Sequence, residues 1–273
     1  MEDFKVRRPT VAGQFYPQDT LQLKRQIEEF IKKDIVKKEV IACVLPHAGY
    51  IYSGRVAAET IAHIKIKEKI ILLGPNHTGL GASLGMMAEG KWQMPLGDIL
   101  IDEELAKIFL KKCSDLEEDF LSHLYEHSIE VILPFLQYFK KDFKIVPITV
   151  MSNEKEVYKR LGVALAEVIK ENNLKDKTLM IASSDMTHYE SQVSAERKDR
   201  LAIEAILELD EDKLLERVNR YNISMCGVAP VSIMLSYAKN LEAEKAELIK
   251  YQTSGDVSGD YSSVVGYAGI IVY

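Results

Sequence analysis

Cysteines, long apolar runs and an excess of basic residues are all scarce or missing in this sequence. Only three cysteines occur in 273 residues, an odd number that is too small for a disulfide framework. No apolar run approaches the roughly 20 residues that a membrane-spanning helix needs, and the N-terminal residues lack the basic-then-apolar order of a signal peptide. The net charge of -6 does not favour nucleic-acid binding, which usually requires a basic stripe. We therefore expect a cytoplasmic protein that binds neither nucleic acids nor membranes.

The pattern of apolar segments predicts an α/β protein. Apolar residues make up 47% of the chain and charged residues 28%, as in a globular protein with a large core. Strand-like runs alternate with helical segments of about 10–15 residues, which is typical of βαβ units. We expect a single domain over residues 1–273, with a central mixed, largely parallel sheet flanked by helices.

The individual elements follow from periodicity and from capping residues. Asp19 is a good N-cap for a first helix over residues 20–33, and Lys32 and Lys33 are expected on its solvent face. Residues 82–100 are predicted to form short strands and turns. The remaining predicted strands are 39–45, 69–73, 144–150, 178–182, 246–252 and 263–272, and the remaining helices are 53–64, 103–112, 126–139, 154–171, 194–208, 211–221 and 229–239.

Three of the predicted strands end in short turns that each contain a histidine. His47 follows residues 41–45, His77 follows residues 70–73 and His188 follows residues 179–182. The carboxyl ends of parallel strands meet at one crevice, where ligands collect in open α/β sheets. The three imidazoles are therefore expected to share one site, most simply a metal site. The alternative is that each histidine only forms hydrogen bonds within its own turn.

Asp185 precedes His188 by three residues, and two side chains at this spacing in a turn can lie on one face. We expect the carboxylate to orient the imidazole or to change its charge, as a carboxylate does for a metal-bound histidine. The alternative is that Asp185, Ser183 or Ser184 caps a following helix. A serine hydrolase is disfavoured, because no Gly-x-Ser-x-Gly elbow surrounds the two serines.

Residues 123–127 match the H-x-x-E-H pattern of inverted zinc peptidases. Two histidines four residues apart on a helix can bind Zn²⁺ while the glutamate acts as a base. Ser122, however, is a good N-cap, which would leave His123 at the very start of an ordinary amphipathic helix. We therefore favour a structural helix here, with Glu126 and His127 near the pocket.

Cys226 stands before Gly227 and an apolar helix. A thiolate at a helix N-terminus is stabilised by the helix dipole and can bind a soft metal. The alternative, a buried and inert thiol, is also the expectation for Cys43. Residues 254–260 contain two Ser-Gly turns, which are expected to join two strands, with an anion-binding backbone nest as the alternative.

Several longer motifs occur in a fixed order along nearly the whole chain. They are residues 8–17 (RPTVAGQFYP), 46–54 (PHAGYIYSG), 74–77 (GPNH), 95–97 (PLG), 126–130 (EHSIE), 183–189 (SSDMTHY), 226–227 (CG) and 264–267 (VVGY). Together these motifs resemble the Memo (mediator of cell motility) family.

The resemblance implies a fold and a metal centre. Memo-like proteins are similar in fold to class III extradiol dioxygenases, which hold non-haem Fe(II). By this resemblance, His47, His77 and Cys226 are metal ligands, and Cys226 stands where the dioxygenases use a carboxylate. His188 would be the catalytic acid/base, with Asp185 beside it.

The resemblance also implies a pocket, a choice of metals and a set of partners. Glu126, His127 and Tyr50 would line the pocket. A thiolate in place of a carboxylate softens the site, so copper or zinc are alternatives to iron. In bacteria and archaea, genes for this family resemble companions of genes for an AMMECR-type domain and a radical-SAM protein. The resemblance therefore implies a functional link to these two proteins.

Two functions from different classes remain open from the sequence. The first is a metal-dependent redox enzyme that uses iron or copper and acts on an unknown small molecule or peptide. The second is a non-catalytic module that binds a peptide or phosphopeptide in the same histidine-lined cleft.

Overall fold

A nine-stranded sheet forms the centre of the computed structural model, which describes residues 5–31 and 35–273. A separate three-stranded sheet contains β1, β5 and β6. The strands are β1 (Val6–Arg7), β2 (Ala42–Leu45), β3 (Lys69–Pro75), β4 (Leu84–Met86), β5 (Lys91–Trp92), β6 (Ile99–Leu100), β7 (Glu117–Glu118), β8 (Lys144–Val150), β9 (Thr178–Ser183), β10 (His188–Glu190), β11 (Ala246–Thr253) and β12 (Val264–Val272).

The large sheet is mixed, with its parallel strands in the middle. Its order is β10-β12-β2-β9-β3-β8-β4-β7, and β11 pairs with β12. The central strands β2, β9, β3 and β8 are all parallel to one another. Antiparallel partners adjoin them on both sides, β12 beside β2 and β4 beside β8. The predicted α/β fold with a central mixed sheet is therefore confirmed, and its long parallel pairings lie at the centre.

Helices connect the strands and cover both faces of the sheet. Two short 3₁₀ segments, Glu130–Ile132 and Lys175–Lys177, add to them. The α-helices are α1 (Thr20–Phe30), α2 (Tyr50–Ala62), α3 (Glu103–Lys112), α4 (Leu121–Leu124), α5 (Leu133–Phe139), α6 (Lys155–Glu171), α7 (Gln192–Leu207), α8 (Glu211–Tyr221), α9 (Val228–Asn240) and α10 (Gly255–Ser258).

Most predicted helix boundaries agree with the structure to within a few residues. The side chain of Asp19 caps α1 by accepting hydrogen bonds from the backbone N–H groups of Leu21 and Gln22. Helix α1 ends at Phe30, and the predicted continuation over residues 32–33, with Lys32 and Lys33, lies outside the described residues. Helix α2 begins three residues earlier than predicted, after Gly49.

The predicted helix over residues 126–139 is wrong in its first half. Residues 126–129 form a turn, and regular α-helix begins only at Leu133, followed by Pro134 in the first helical turn. The carboxylate of Glu126 explains the break, because its Oε1 accepts the backbone N–H groups of His127 and Ser128. Ser122 lies inside the short helix α4 and is not an N-cap.

Alternate residues of the central strands pack into two cores, one on each face of the sheet. Ile71, Leu73 and Met180 belong to the core under α6 and α9. Ile70 and Leu72 belong to the opposite core, which also contains residues of α1, α2 and α5. A strand buried on both faces is expected to be apolar, as β3 is from Ile70 onward. Within the described residues, no helix combines the length and the apolarity that a membrane span requires.

A buried ion pair joins the N-terminal segment to the loop that precedes α5. The guanidinium of Arg7 contacts the carboxylate of Glu130, and both side chains are inaccessible to solvent. Arg7 Nη2 also donates to the backbone carbonyl of Glu126 at 2.6 Å, and the hydroxyl of Tyr16 donates to Glu130 at 2.6 Å. Burial opposes ionisation of Glu130, but Arg7 and these donors outweigh it and lower the pKa of the carboxyl.

Removing the charge of Glu130 should destabilise the fold strongly. We expect Glu130→Gln to cost roughly 3–5 kcal/mol at pH 7, because it leaves a buried guanidinium without its counter-charge. Since the folded pKa of Glu130 is lowered, this stabilisation is present above the unfolded pKa and is lost as the pH falls through the folded pKa. Urea unfolding at pH 7 and pH 3 measures both effects.

The exposed carboxylate of Glu171 offers a matched control. It pairs with Lys112 at 2.9 Å on the surface, so Glu171→Gln should change stability by no more than about 0.5 kcal/mol at pH 7. Equal stabilities of the two variants would contradict the structural role of the buried pair.

Candidate metal centre

Three neighbouring parallel strands deliver three polar side chains to one edge of the sheet. His47 follows β2, Asp185 follows β9 and His77 follows β3. Strand β9 pairs with both of the others, with Leu45 opposite Ser183 and Leu73 opposite Ala182. The strands therefore end almost level, and the residues after them emerge together.

Cys226 reaches this edge from the other half of the chain, in the loop before α9. Gly227 allows the approach, because a Cβ at this position would lie 2.2 Å from the backbone oxygen of Ser183. The backbone N–H of Asp185 donates to the sulfur of Cys226 at 3.2 Å, and that sulfur lies 3.5 Å from Nε2 of His47. His47, His77 and Cys226 each offer one ligand atom, a ring nitrogen or the sulfur, and these three atoms lie within 4.8 Å of one another.

A hydrogen-bond chain determines which nitrogen of His47 carries the proton. The hydroxyl of Ser183 donates to the carbonyl of Ser128 at 2.7 Å, so it can only accept from His47 Nδ1, 2.7 Å away. Nδ1 is therefore protonated, and Nε2 presents its lone pair toward Cys226. Burial and the neighbouring histidines lower the pKa of His47 well below its usual value, so the ring is neutral.

Glu126 orients His77 in the same way. Its Oε1 lies 3.0 Å from Nδ1 of His77, and its Oε2 accepts the backbone N–H of His77. Burial opposes protonation of His77, but the hydrogen bond and the charge of Glu126 outweigh it and raise the histidine's pKa. Burial likewise opposes ionisation of Glu126, yet His77 and the backbone donors lower its pKa to about 2. Nδ1 of His77 thus donates to a carboxylate, and Nε2 remains for a ligand.

His127 is the nearest additional imidazole. Its ring stacks on that of His77 with centroids 4.8 Å apart and meets His47 edge-on at 5.6 Å. Burial lowers the pKa of His127. His77, Glu126 and His127 also hold ligand atoms within 4.8 Å of one another, but both oxygens of Glu126 already accept backbone N–H groups. Glu126 is better suited to orienting His77 than to binding a metal.

His188 lies at the same cleft but does not pair with Asp185 as predicted. Nδ1 of His188 donates to the backbone carbonyl of Ser224 at 2.8 Å. Asp185 instead accepts the backbone N–H of His47 at 2.9 Å, and burial raises its pKa. The reason is that residues 184–187 have no regular secondary structure and run into β10, while the next helix begins only at Gln192, so the i, i+3 geometry of a helical turn does not form.

A cavity of about 630 Å³ lies over these side chains. It is lined by Phe15, His47, Ala48, Gly49, Tyr52, His77, His127, Asp185, His188, Tyr189, Ser254, Ser258, Asp260, Ser263, Val265 and Tyr267. A second cavity, of about 650 Å³, lies at the opposite ends of β3 and β8 and is lined mainly by Lys, Asp and Glu side chains. Of these two cavities, only the first is lined by histidines, so it is the candidate functional site.

Two residues expected in the pocket occupy other positions. The ring of Tyr50 is buried in the core, stacks on Phe135 at 4.3 Å and donates its hydroxyl hydrogen to the carbonyl of Val131. Helix α2 begins at this residue, which turns Tyr50 inward and leaves Tyr52 at the cavity. Glu126 lies directly behind His77 and is 1% exposed, so it supports the pocket wall from beneath.

The peptidase pattern at residues 123–127 does not form a chelate. His123 is fully buried on a different side of the loop, where its Nε2 lies 3.1 Å from the backbone oxygen of Gly85. Burial lowers the pKa of His123 to about 4. His127, by contrast, joins His47 and His77. The turn at residues 125–129 separates the two histidines, which a continuous helix would have placed on one face.

The sequence did not reveal the role of Ser183 or the identity of the aromatic residues at the cavity. The sequence pattern predicts at most a helix cap at Ser183, whereas the structure shows that Ser183 orients His47. Its position as the last residue of a buried strand was the available signal. Tyr52, Tyr189 and Tyr267 lie inside recognised motifs, but which of the motif tyrosines face the cavity depends on the packing.

The chain is similar to known proteins over nearly its whole length. A protein-family model described as Memo-like protein matches residues 7–271. A MEMO1 family protein of Methanopyrus kandleri is 45% identical over 97% of this chain and 98% of the relative. A MEMO1 family protein of Aquifex aeolicus is 44% identical over 98% and 99%. Among solved structures, an uncharacterized protein from Escherichia coli K12 matches with a TM-score of 0.53 at 12% identity, over 85% of this chain and 99% of that one. This last likeness shows the fold alone.

Cys226 should be a slow nucleophile in the metal-free protein, despite its place before a helix. Burial and the nearby carboxylate of Asp185 raise the pKa of its thiol, which outweighs the helix dipole. We expect iodoacetamide at pH 7 to alkylate Cys226 at least about 100-fold more slowly than free cysteine. Mass spectrometry of the alkylated peptides measures the rate, with Cys226→Ser as the control. Rapid modification at Cys226 would contradict the burial of the thiol.

Proposed function

The chain belongs to the family of Memo-like proteins, as the motifs predicted, and on that premise we propose that it is a metal-dependent redox enzyme. The proposed ligands are Nε2 of His47, Nε2 of His77 and the sulfur of Cys226, with Fe(II) as the metal and copper or zinc as alternatives. The substrate is an unknown small molecule or peptide that enters the 630 Å³ cavity.

The observation that carries this proposal is the orientation of the two imidazoles. The Nδ1–H group of each ring is held by an acceptor, Ser183 for His47 and Glu126 for His77. Metal-binding histidines in proteins are held in this way by a hydrogen bond from the other ring nitrogen. The donor set also fits the group, because two imidazole nitrogens and a sulfur suit iron, copper and zinc.

Each side chain around the site has a distinct role in this proposal. A bound metal with an open coordination position would supply Lewis acidity and, for iron or copper, redox chemistry. Ser183 and Glu126 hold Nδ1 of the two rings and so aim both Nε2 atoms at the centre. His188 donates its Nδ1–H to Ser224, so its Nε2 carries a lone pair at the cavity wall and can accept a proton from a bound substrate. Asp185 holds the backbone of His47 in place.

Metal titration of the ligand variants tests the proposal. Under anaerobic conditions, we expect chelator-treated wild type to bind about one equivalent of Fe(II), and His47→Ala, His77→Ala and Cys226→Ser to lose at least about tenfold in affinity, since each removes one of three ligands. His63→Ala is the matched control, because His63 caps the end of α2 away from the cavity. Parallel titrations with Cu(I) and Zn(II) rank the three metals. Equal uptake by all variants would contradict the ligand assignment.

Ser183 should affect metal binding without touching the metal. Ser183→Ala removes the acceptor that keeps Nδ1 of His47 protonated, and loss of such a supporting hydrogen bond typically costs about 10–100-fold in metal affinity. Ser122→Ala is the control, since Ser122 is also a buried serine but lies outside the cluster of candidate ligands. Unchanged affinity in Ser183→Ala would remove this serine from the site.

The non-catalytic alternative makes a different prediction for the same cleft. A peptide- or phosphopeptide-binding module would bind its ligand equally well with and without metal. Binding of a phosphotyrosine peptide to chelator-treated protein, lost in His188→Ala, would favour this alternative over the enzyme.

A further inference from the structure

The wall of the cavity beyond the histidines is rich in aromatic residues. Tyr52 comes from α2, Tyr189 from β10 and Tyr267 from β12, and all three line the cavity together with Phe15. Tyr267 is buried, whereas Tyr52 and Tyr189 are exposed at the mouth of the same cavity. Three separate elements therefore combine to form one aromatic wall beside the histidine cluster.

The part of the cavity that holds the tyrosines also holds a carboxylate. Asp260 lines the cavity, and none of the residues that line it in the described part of the chain is a lysine or an arginine. Hydrogen bonds from the side chain and backbone of Ser262 lower the pKa of Asp260 and favour its charged form.

This combination disfavours an anionic ligand at the aromatic wall. A phosphate group carries a charge of about -1.5 to -2 at pH 7, and proteins bind it with arginine or lysine side chains or with several backbone donors. A carboxylate such as that of Asp260 would repel it. An organic cation meets the opposite conditions, since aromatic rings attract ammonium groups through their negative faces and a carboxylate adds to this attraction.

Tyr189 occupies its place at the cavity in a conformation that few side chains adopt. Its φ is 59°, in the left-handed region, and its side chain is 79% exposed. The pairing of β10 with β12 shifts register between His188 and Glu190, which places an irregularity at Tyr189. Such irregularities redirect a side chain next to functional sites, and the left-handed conformation is unfavourable for a residue other than glycine. Core packing does not explain this conformation, because the ring is largely exposed.

We propose that Tyr52, Tyr189 and Tyr267, with Asp260, form a subsite for the organic ammonium group of the molecule that reaches the histidine cluster. The group is a primary or methylated amine, carried either by a free small molecule or by a lysine side chain of a polypeptide. This inference deepens the proposed function and rests on it, because it names the class of substrate that would meet the metal ligands.

Calorimetric titration of chelator-treated and Zn(II)-loaded protein tests the subsite with three probes of similar size. They are benzyltrimethylammonium, benzyl alcohol and phenyl phosphate, which differ in charge. We expect the cation to bind at least about tenfold more tightly than either of the others, because several rings and a carboxylate contribute together. Equal binding of the cation and the alcohol, or tighter binding of the phosphate, would overturn the inference.

Variants identify the residues responsible. The double variant Tyr52→Leu, Tyr189→Leu should lose at least about tenfold in affinity for the cation, whereas Tyr52→Phe, Tyr189→Phe should stay within about twofold, because the ring rather than the hydroxyl attracts the charge. Asp260→Asn should weaken binding of the cation severalfold. Tyr125→Leu is the control, an exposed tyrosine outside the cavity. An unchanged affinity in the double leucine variant would contradict the assignment.

Two further measurements are needed. The first distinguishes the two possible sources of the amine, and the second tests this inference independently of the proposed metal centre. A capped tripeptide with one lysine that binds at least as well as butylamine would identify a polypeptide side chain, and binding of butylamine alone would identify a small molecule. Fe(II) titration of the double leucine variant should match wild type. Metal binding without ammonium binding overturns only this inference, whereas ammonium binding without metal binding overturns only the proposed metal centre.

Discussion

The parallel pairing of β2, β9 and β3 is the constraint on which the candidate site depends. These strands are buried on both faces, and their register is determined by apolar residues that alternate between the two cores. Because the strands are parallel and end nearly level, His47, Asp185 and His77 leave the sheet at the same edge. The loop of Cys226 can then approach this edge only because Gly227 has no Cβ to clash with the backbone of Ser183.

Hydrogen bonding explains how the histidines of the cleft are oriented as ligands. A buried N–H group without an acceptor is costly, and Nδ1 of three of these rings faces an acceptor. Nδ1 of His47, His77 and His188 faces Ser183, Glu126 and Ser224, respectively. These hydrogen bonds occupy Nδ1 and leave Nε2 of His47 and His77 as the ligand atom. The orientation of the candidate ligands therefore depends on hydrogen bonds that the fold itself provides.

The segment that contains Glu126 and Glu130 connects the site to the rest of the fold. Glu126 supports His77 and stabilises the turn at residues 126–129, while Glu130 binds Arg7 and Tyr16 and so attaches the N-terminal segment. Two buried carboxylates four residues apart thus serve different parts of the structure. The sequence pattern here indicated a continuous amphipathic helix, and these tertiary contacts explain why a turn forms instead.

Local signals sufficed for the elements that depend on periodicity or on a cap. Asp19 caps α1 as predicted, and the apolar runs of β3, β8 and β9 correspond to strands within two residues of the predicted limits. These features depend on neighbours in sequence, so short windows contain the necessary information.

The sequence by itself determined the family, the α/β class and the set of strand-end histidines. Only the tertiary structure decided that Ser183 rather than Asp185 orients an imidazole, that Tyr50 faces the core and Tyr52 the cavity, and that Glu126 lies behind His77. Each of these outcomes involves groups that are far apart in the chain. Burial and close packing across the sheet determine which groups meet, and a local sequence pattern contains no information about such long-range contacts.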